Sequence, residues 1–209
     1  MTPDGETAHI PVLSEELLRL LDPAPGARVL DLTVGAGGHS AAILARLQGQ
    51  ALLVGVDRDA SALAVAAGVL GSHETLLLRG DFGDLAPLRA RFPVPSFDCI
   101  LADLGVSSMQ LDEPSRGFSF RRGGPLDMRM DRGQEGSALE LVHECTVNEL
   151  TRIILDYGEE RHAARVARAI DRSRQEGRIT TTSELASVVR GALPKQRRGG
   201  VDPATRTFQ

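Results

Sequence analysis

The sequence contains no tryptophan, one tyrosine and six phenylalanines among 209 residues. Its core must therefore be aliphatic, built from Leu, Val, Ile and Ala. Lysine is almost absent: of 24 basic residues only Lys195 is a lysine. The cysteines, Cys99 and Cys145, are too few for a disulfide framework and lack metal-ligand spacing. Reduced thiols and a cytoplasmic location are the expectation. No window approaches the roughly 18 apolar residues of a membrane span. The first nine residues carry Asp4 and Glu6 and lack the basic and apolar regions of a signal peptide. With 42% hydrophobic and 25% charged residues, disorder, collagen and coiled coil are excluded as overall descriptions.

The net charge of −4 does not announce a nucleic-acid partner, but it is unevenly spread. Residues 1–111 hold 7 basic against 13 acidic side chains, and residues 112–209 hold 17 against 15. Such asymmetry suggests an interaction surface, and equally fits a solvated helical face.

Short apolar runs alternate with helical patterns through the first half. Residues 27–33, 51–57, 75–78 and 97–103 read as strands buried on both faces. Residues 40–47, 60–70 and 85–92 read as the helices between them. An opening helix is expected from Ser14, with Ser14 as cap and Glu15 and Glu16 at the positive end of the dipole. This order implies an α/β fold with a doubly wound parallel sheet. The last strand would expose a sheet edge, so further strands are expected after residue 209. Beyond Leu111 the pattern changes. Residues 112–136 are rich in Gly, Arg, Asp and Pro without a sustained period. Helices follow at 137–145, at 146–156 behind the capping-box pattern Thr146-Val147-Asn148-Glu149, at 159–175 with Gly177 just past its end, and at 183–193 before Pro194.

The stretch Asp31-Leu32-Thr33-Val34-Gly35-Ala36-Gly37-Gly38-His39-Ser40 carries the chemistry. A strand ends, glycines allow a tight turn and close backbone approach, and a helix begins. Asp57, ending the second strand, can accept hydrogen bonds from both hydroxyls of a ribose. A nicotinamide or flavin site wants a third glycine where Ser40 stands. S-adenosylmethionine, which has no phosphate, wants an acid, then glycines, then the ribose acid. A glycine turn that binds nothing is the third reading. No Gly-Lys-Ser/Thr occurs, which excludes a Walker loop.

In Gly80-Asp81-Phe82-Gly83-Asp84, Phe82 could pack on an adenine while Asp81 or a backbone amide meets its amino group; Phe82 could equally be core, and Asp84 a helix cap. Asp103, at the fourth strand's end, faces the same crevice, either toward the methionine part of a cofactor or toward a target amine, unless it is merely a cap. His39 opens the helix after the glycines, where a neutral hydrogen-bonding role suits the dipole.

Together these residues resemble the MraW/RsmH family. The resembling blocks are residues 9–13, 33–40, Asp57-Arg58-Asp59, 103–108 with Gln110-Leu111-Asp112, Arg116-Gly117-Phe118-Ser119-Phe120, Gly124-Pro125-Leu126-Asp127-Met128-Arg129-Met130-Asp131, Tyr157-Gly158-Glu159-Glu160-Arg161 and 203–209. The resemblance implies a Rossmann-like class I methyltransferase sheet with a mostly helical insertion. The domains would be 1–111 for the cofactor, 112–204 for RNA recognition, and 205–209 starting the return to the sheet. It implies S-adenosylmethionine as cofactor, lined by Gly37, Gly38, His39, Asp57, Phe82, Asp103 and Gln110, with Gly35 setting the turn. It further implies N4-methylation of a cytidine in 16S ribosomal RNA, with the small ribosomal subunit as partner and a homodimer as an assembly to test.

Arg116, Arg121, Arg122, Arg129 and Arg132 form one basic set, and Arg190, Lys195, Arg197, Arg198 and Arg206 a second. Arginine suits phosphate. Phe118 and Phe120 could stack on unpaired bases or anchor the loop, and Asp127 and Asp131 could pair the arginines internally. Three functions stay open: an RNA cytosine N4-methyltransferase, a nicotinamide-dependent oxidoreductase, and a non-catalytic RNA-binding protein.

Overall fold

The computed structural model describes residues 13–177, 179–194 and 200–209. The chain divides into two compact units, Met1–Gly105 and Val106–Gln209.

In the first unit the order is α1 (Ser14–Leu21), β1 (Ala27–Asp31), α2 (Gly38–Arg46), β2 (Ala51–Asp57), α3 (Ala60–Leu70), β3 (Thr75–Arg79), α4 (Ala86–Arg89) and β4 (Cys99–Leu101). The strands form one parallel sheet in the order β3-β2-β1-β4. Its two faces are read directly from the period of two along each strand. Val29 and Leu53 pack with Ile43, Leu44 and Leu70 on one side. Leu30, Val54, Val56 and Leu78 pack with Leu88, Phe92 and Phe97 on the other. Both faces are covered, which is why the strands are continuous apolar runs. β4 ends the sheet, and Ile100 on it is 57% exposed. The sequence places a sheet edge at this strand.

Several boundaries differ from expectation, each for a local reason. β1 stops at Asp31 because the Asp31 carboxylate accepts the Thr33 N–H at 3.1 Å and turns the chain. β4 is shorter than 97–103. Phe97 is spent on an edge-on contact with Phe92, with centroids 5.4 Å apart. Asp98 is held by the Arg28 fork at 2.6 and 2.9 Å. Ser14 is not a cap: Leu13 occupies that position in left-handed conformation, with no side-chain hydrogen bond, and Ser14 is the first helical residue. α3 keeps the expected bounds and is capped by Asp59, whose carboxylate accepts the Ser61 N–H at 3.0 Å.

The second unit holds α5 (Ser108–Asp112), a 3-10 turn at Pro114–Arg116, α6 (Ala138–Glu144), α7 (Val147–Asp156), α8 (Ala163–Gln175), α9 (Thr182–Ala192) and a 3-10 turn at Thr205–Phe208. α5 ends where the aperiodic 112–136 segment begins, in a stretch for which the sequence reading gave no element. α8 starts four residues later than expected, because Glu159 is left-handed and the Glu160 carboxylate takes the His162 N–H at 2.8 Å. Reciprocal capping boxes open α6 (Ser137, Glu140), α7 (Thr146, Glu149) and α9 (Thr181, Glu184). In each the backbone N–H groups hold the glutamate below its ordinary pKa. Arg174 donates to the carbonyls of Val142 and Cys145 at 2.8 and 2.7 Å, closing the end of α6. The core gathers Leu126, Val142, Leu150, Ile154, Val166, Ile170, Leu185 and Val189. Both cysteines are free thiols, and burial raises the pKa of each.

The irregular segment is fixed by close backbone approach. Met128 N–H donates to the Arg116 carbonyl at 3.0 Å, and Thr182 N–H to that of Gly124 at 3.0 Å. A Cβ on Gly124 would land on the Pro114 carbonyl oxygen, a backbone atom that cannot swing aside. Gly124→Ala should therefore cost about 2–4 kcal/mol of stability, read as a lowered urea midpoint. An unchanged midpoint would mean that these backbones are not in contact.

Candidate active site

The residues at issue lie at the carboxyl ends of the strands, where ligands of open parallel sheets bind. Asp31 ends β1 and is 1% exposed. Its carboxylate accepts the Ser40 hydroxyl at 2.7 Å, tying the strand to the first turn of α2. Burial pushes the Asp31 pKa up, against the pull of Ser40 and the Thr33 N–H.

The turn between β1 and α2 is held from both sides. Gly35 N–H donates to Asp57 at 2.8 Å, and Asp59 N–H donates to the other Asp57 oxygen at 2.9 Å. On the opposite side Asp103 N–H donates to the Thr33 hydroxyl at 2.7 Å. His39 Nε2 stands 3.3 Å from an Asp103 carboxylate oxygen. Gly37 is left-handed, and the space where its Cβ would stand is filled by Ala66 and Leu70 of α3, at 3.3 and 3.4 Å. Its glycine serves helix packing as well as the turn. Above Gly35, also left-handed, a Cβ would meet only the Thr33 carbonyl at 3.8 Å. That side of the turn is open.

Phe82, 40% exposed, is carried by the loop after β3. Asp81 does not stand free for an adenine amino group. Its carboxylate accepts the Gly83 N–H at 2.8 Å and is paired with Arg58, and both hold its pKa low. Asp84 accepts the Ala86 N–H at 3.2 Å, but the cap position of α4 is held by Leu85, without a side-chain hydrogen bond. Gln110 belongs to the second unit. There its side chain accepts the Ser107 N–H at 3.1 Å and completes the box that opens α5.

Among the described residues of the first unit, His39 Nδ1 and Arg58 Nε are buried without a hydrogen-bond partner. One flanks the glycine turn and the other follows Asp57. His39 Nδ1 beside the glycines and the lone pairs left on Asp57 fit a ligand that carries hydroxyls and polar nitrogens.

The sequence profile of the MraW methylase family matches residues 6–209. The chain belongs to the MraW methylase family. It is 47% identical over 207 residues to "Ribosomal RNA small subunit methyltransferase H" of Trichlorobacter lovleyi, covering 98% of this chain and 66% of that one. The proteins of the same name from Sorangium cellulosum and Rhodospirillum centenum are each 46% identical over 209 residues. Each match covers 99% of this chain, and 65% and 62% of those proteins. The chain thus spans somewhat less than two thirds of the length of these curated relatives.

In this MraW methylase chain much of the arginine charge is internally engaged. Arg116 is buried and donates to the carbonyls of Arg129 and Met130 at 3.1 and 2.8 Å. Arg129 grips Asp127 through a fork at 2.8 and 2.9 Å and keeps its pKa low. Arg122 pairs with Asp112, Arg132 donates to the Ser115 carbonyl, and Arg190 grips Asp202. Arg206 donates to the Glu159 carbonyl at 3.3 Å. Phe118 is buried, with Arg116 over its ring. Phe120 packs on Phe208 at 5.0 Å beneath Arg190. Both aromatics are anchors of the loop. His9, the rest of the block at 9–12, Lys195, Arg197 and Arg198 lie outside the described residues.

The sequence reading missed Arg58 with Asp81, and gave Ser40 only as a departure from a nicotinamide fingerprint. The first pair is separated by 23 positions, which no local pattern joins. The raised pKa of Asp31 has a testable sign. The fold prefers the neutral carboxyl, so this contribution is fullest below 3.8 and is lost as pH rises through the raised value. Asp31→Asn should gain stability relative to the unsubstituted chain as pH climbs from 4 to 8, in paired urea titrations. A constant difference would sink the assignment.

Proposed function

We propose that the first unit binds S-adenosylmethionine at the glycine turn. In the longer protein that the relatives represent, this site would serve N4-methylation of a cytidine in 16S ribosomal RNA. One observation carries the reading. The turn after β1 is clasped between Asp57 and Asp103, with Gly35 left open and, in the first turn of α2, the buried His39 Nδ1 without a partner. The names of the relatives support the choice of substrate.

Gly37, Gly38, His39, Asp57, Phe82 and Asp103 would hold the cofactor, and Gln110 is proposed with them on the family resemblance alone. Asp57 would accept the ribose hydroxyls with the lone pairs its backbone bonds leave. When bound, S-adenosylmethionine supplies an electrophilic methyl group on a sulfonium. The exocyclic amine of cytosine is a poor nucleophile, since its lone pair is delocalised into the ring. The chain's task is to hold it in line with its hydrogens on acceptors, for which Asp103 and the Gly105 backbone are the candidates. Orientation of this kind can contribute several kcal/mol, up to roughly 7–11 in favourable cases. The base must leave its stack to reach such a site.

For the domains we propose residues 1–111 for the cofactor, 112–204 for RNA and 205–209 as the start of a further part of the cofactor domain, whereas the compact units group 106–111 and 205–209 with the second half. Ribosomal RNA as substrate goes with a cytoplasmic location. Among the described residues no helix is long and apolar enough to cross a membrane. The nicotinamide alternative is weakened by Ser40, whose buried hydroxyl is committed to Asp31 where a glycine would offer nothing.

Calorimetry with S-adenosylmethionine and with NAD should show binding of the first alone. Asp57→Ala should weaken it about tenfold or more, because hydrogen bonds to charged groups contribute roughly 1.5–3 kcal/mol. Binding of NAD alone would reverse the assignment. Mass spectrometry of 16S RNA from a deletion strain should reveal one N4-methylcytidine position lacking its methyl group.

A further inference from the structure

We infer that Arg58 is a positioning residue that sets the adenosine side of the cofactor site by fixing Phe82, an inference resting on the cofactor reading above. Arg58 follows Asp57 directly and reaches across to the next strand's loop. Its guanidinium pairs with the Asp81 carboxylate, and its central carbon stands 5.9 Å from the centroid of the Phe82 ring. The same loop is joined to the β2 tip by the Gly80 N–H, which donates to the Asp57 carbonyl at 3.0 Å. Asp81 in turn closes the loop on itself through the Gly83 N–H. One side chain therefore links the acid proposed for the ribose to the ring proposed for the base.

As a stabiliser the contact is weak. Both side chains are 35% exposed, and ion pairs in water contribute little. A planar cation beside an aromatic ring, however, restricts where the ring stands. Phe82 is 40% exposed on the loop after β3, and Arg58 stands over its ring. A ring fixed beforehand binds without the cost of ordering it. Arg58 should thus matter for affinity much more than for folding.

The test uses the 209-residue chain and calorimetry with S-adenosylhomocysteine and 5′-methylthioadenosine, which share the adenosine but differ in the amino-acid part. Arg58→Gln should weaken both ligands by the same factor, about tenfold, with the thermal midpoint nearly unchanged. Arg58→Lys should recover part of the loss, and Asp81→Asn should reproduce it. In a Phe82→Ala background Arg58→Gln should cost nothing more. Affinities for Arg58→Gln within about twofold of the unsubstituted chain, or losses that simply add in the double variant, would overturn the proposal. So would a loss confined to S-adenosylhomocysteine, which would place Arg58 at the amino-acid end. If the unsubstituted chain binds neither ligand, the cofactor reading falls and this inference with it.

Discussion

Gly35 donates its backbone N–H to the carboxylate of Asp57, and the geometry at the strand tips depends on that bond. It joins the turn after β1 to the end of β2. Asp57 keeps lone pairs beyond those that the Gly35 and Asp59 N–H groups use. A carboxylate used this way is oriented before any ligand arrives, because its backbone partners fix the plane in which it lies. The Thr33 hydroxyl does the same for the other neighbour by receiving the Asp103 N–H. The turn is thereby suspended between two strands, and glycine is required where it passes through left-handed backbone.

The strands were legible because a sheet covered on both faces leaves no polar position inside it. The runs at 27–33 and 51–57 are read from that alone, the first overrunning β1 by two residues. What the pattern could not supply was the competition between side chains and backbone. Asp31 ends its strand by capturing Thr33, and Glu160 delays α8 by capturing His162. Both are short-range hydrogen bonds that an apolar period does not register. The Ser14 cap failed for a related reason: Leu13 already holds the turn in left-handed form.

In the site, the acids and glycines could be found from their spacing, since a turn between a strand and a helix places them in order. The Arg58–Asp81 pair could not. It depends on β2 and β3 lying side by side, a fact of the sheet rather than of either loop. The Ser40 substitution was visible as a letter but not as a bond. Only burial beneath the turn, with Asp31 at 2.7 Å, explains why a hydroxyl stands where another nucleotide fold would put hydrogen.

The arginines of the second unit carry a different lesson about charge. A guanidinium already matched to a carboxylate or to main-chain oxygens, as Arg116, Arg129 and Arg190 are, has fewer donors left to neutralise a phosphate. The fewer phosphates such a surface neutralises, the fewer counter-ions the polyanion releases on binding. The affinity of such a surface for a charged backbone should consequently vary gently with ionic strength, however many arginines the composition displays.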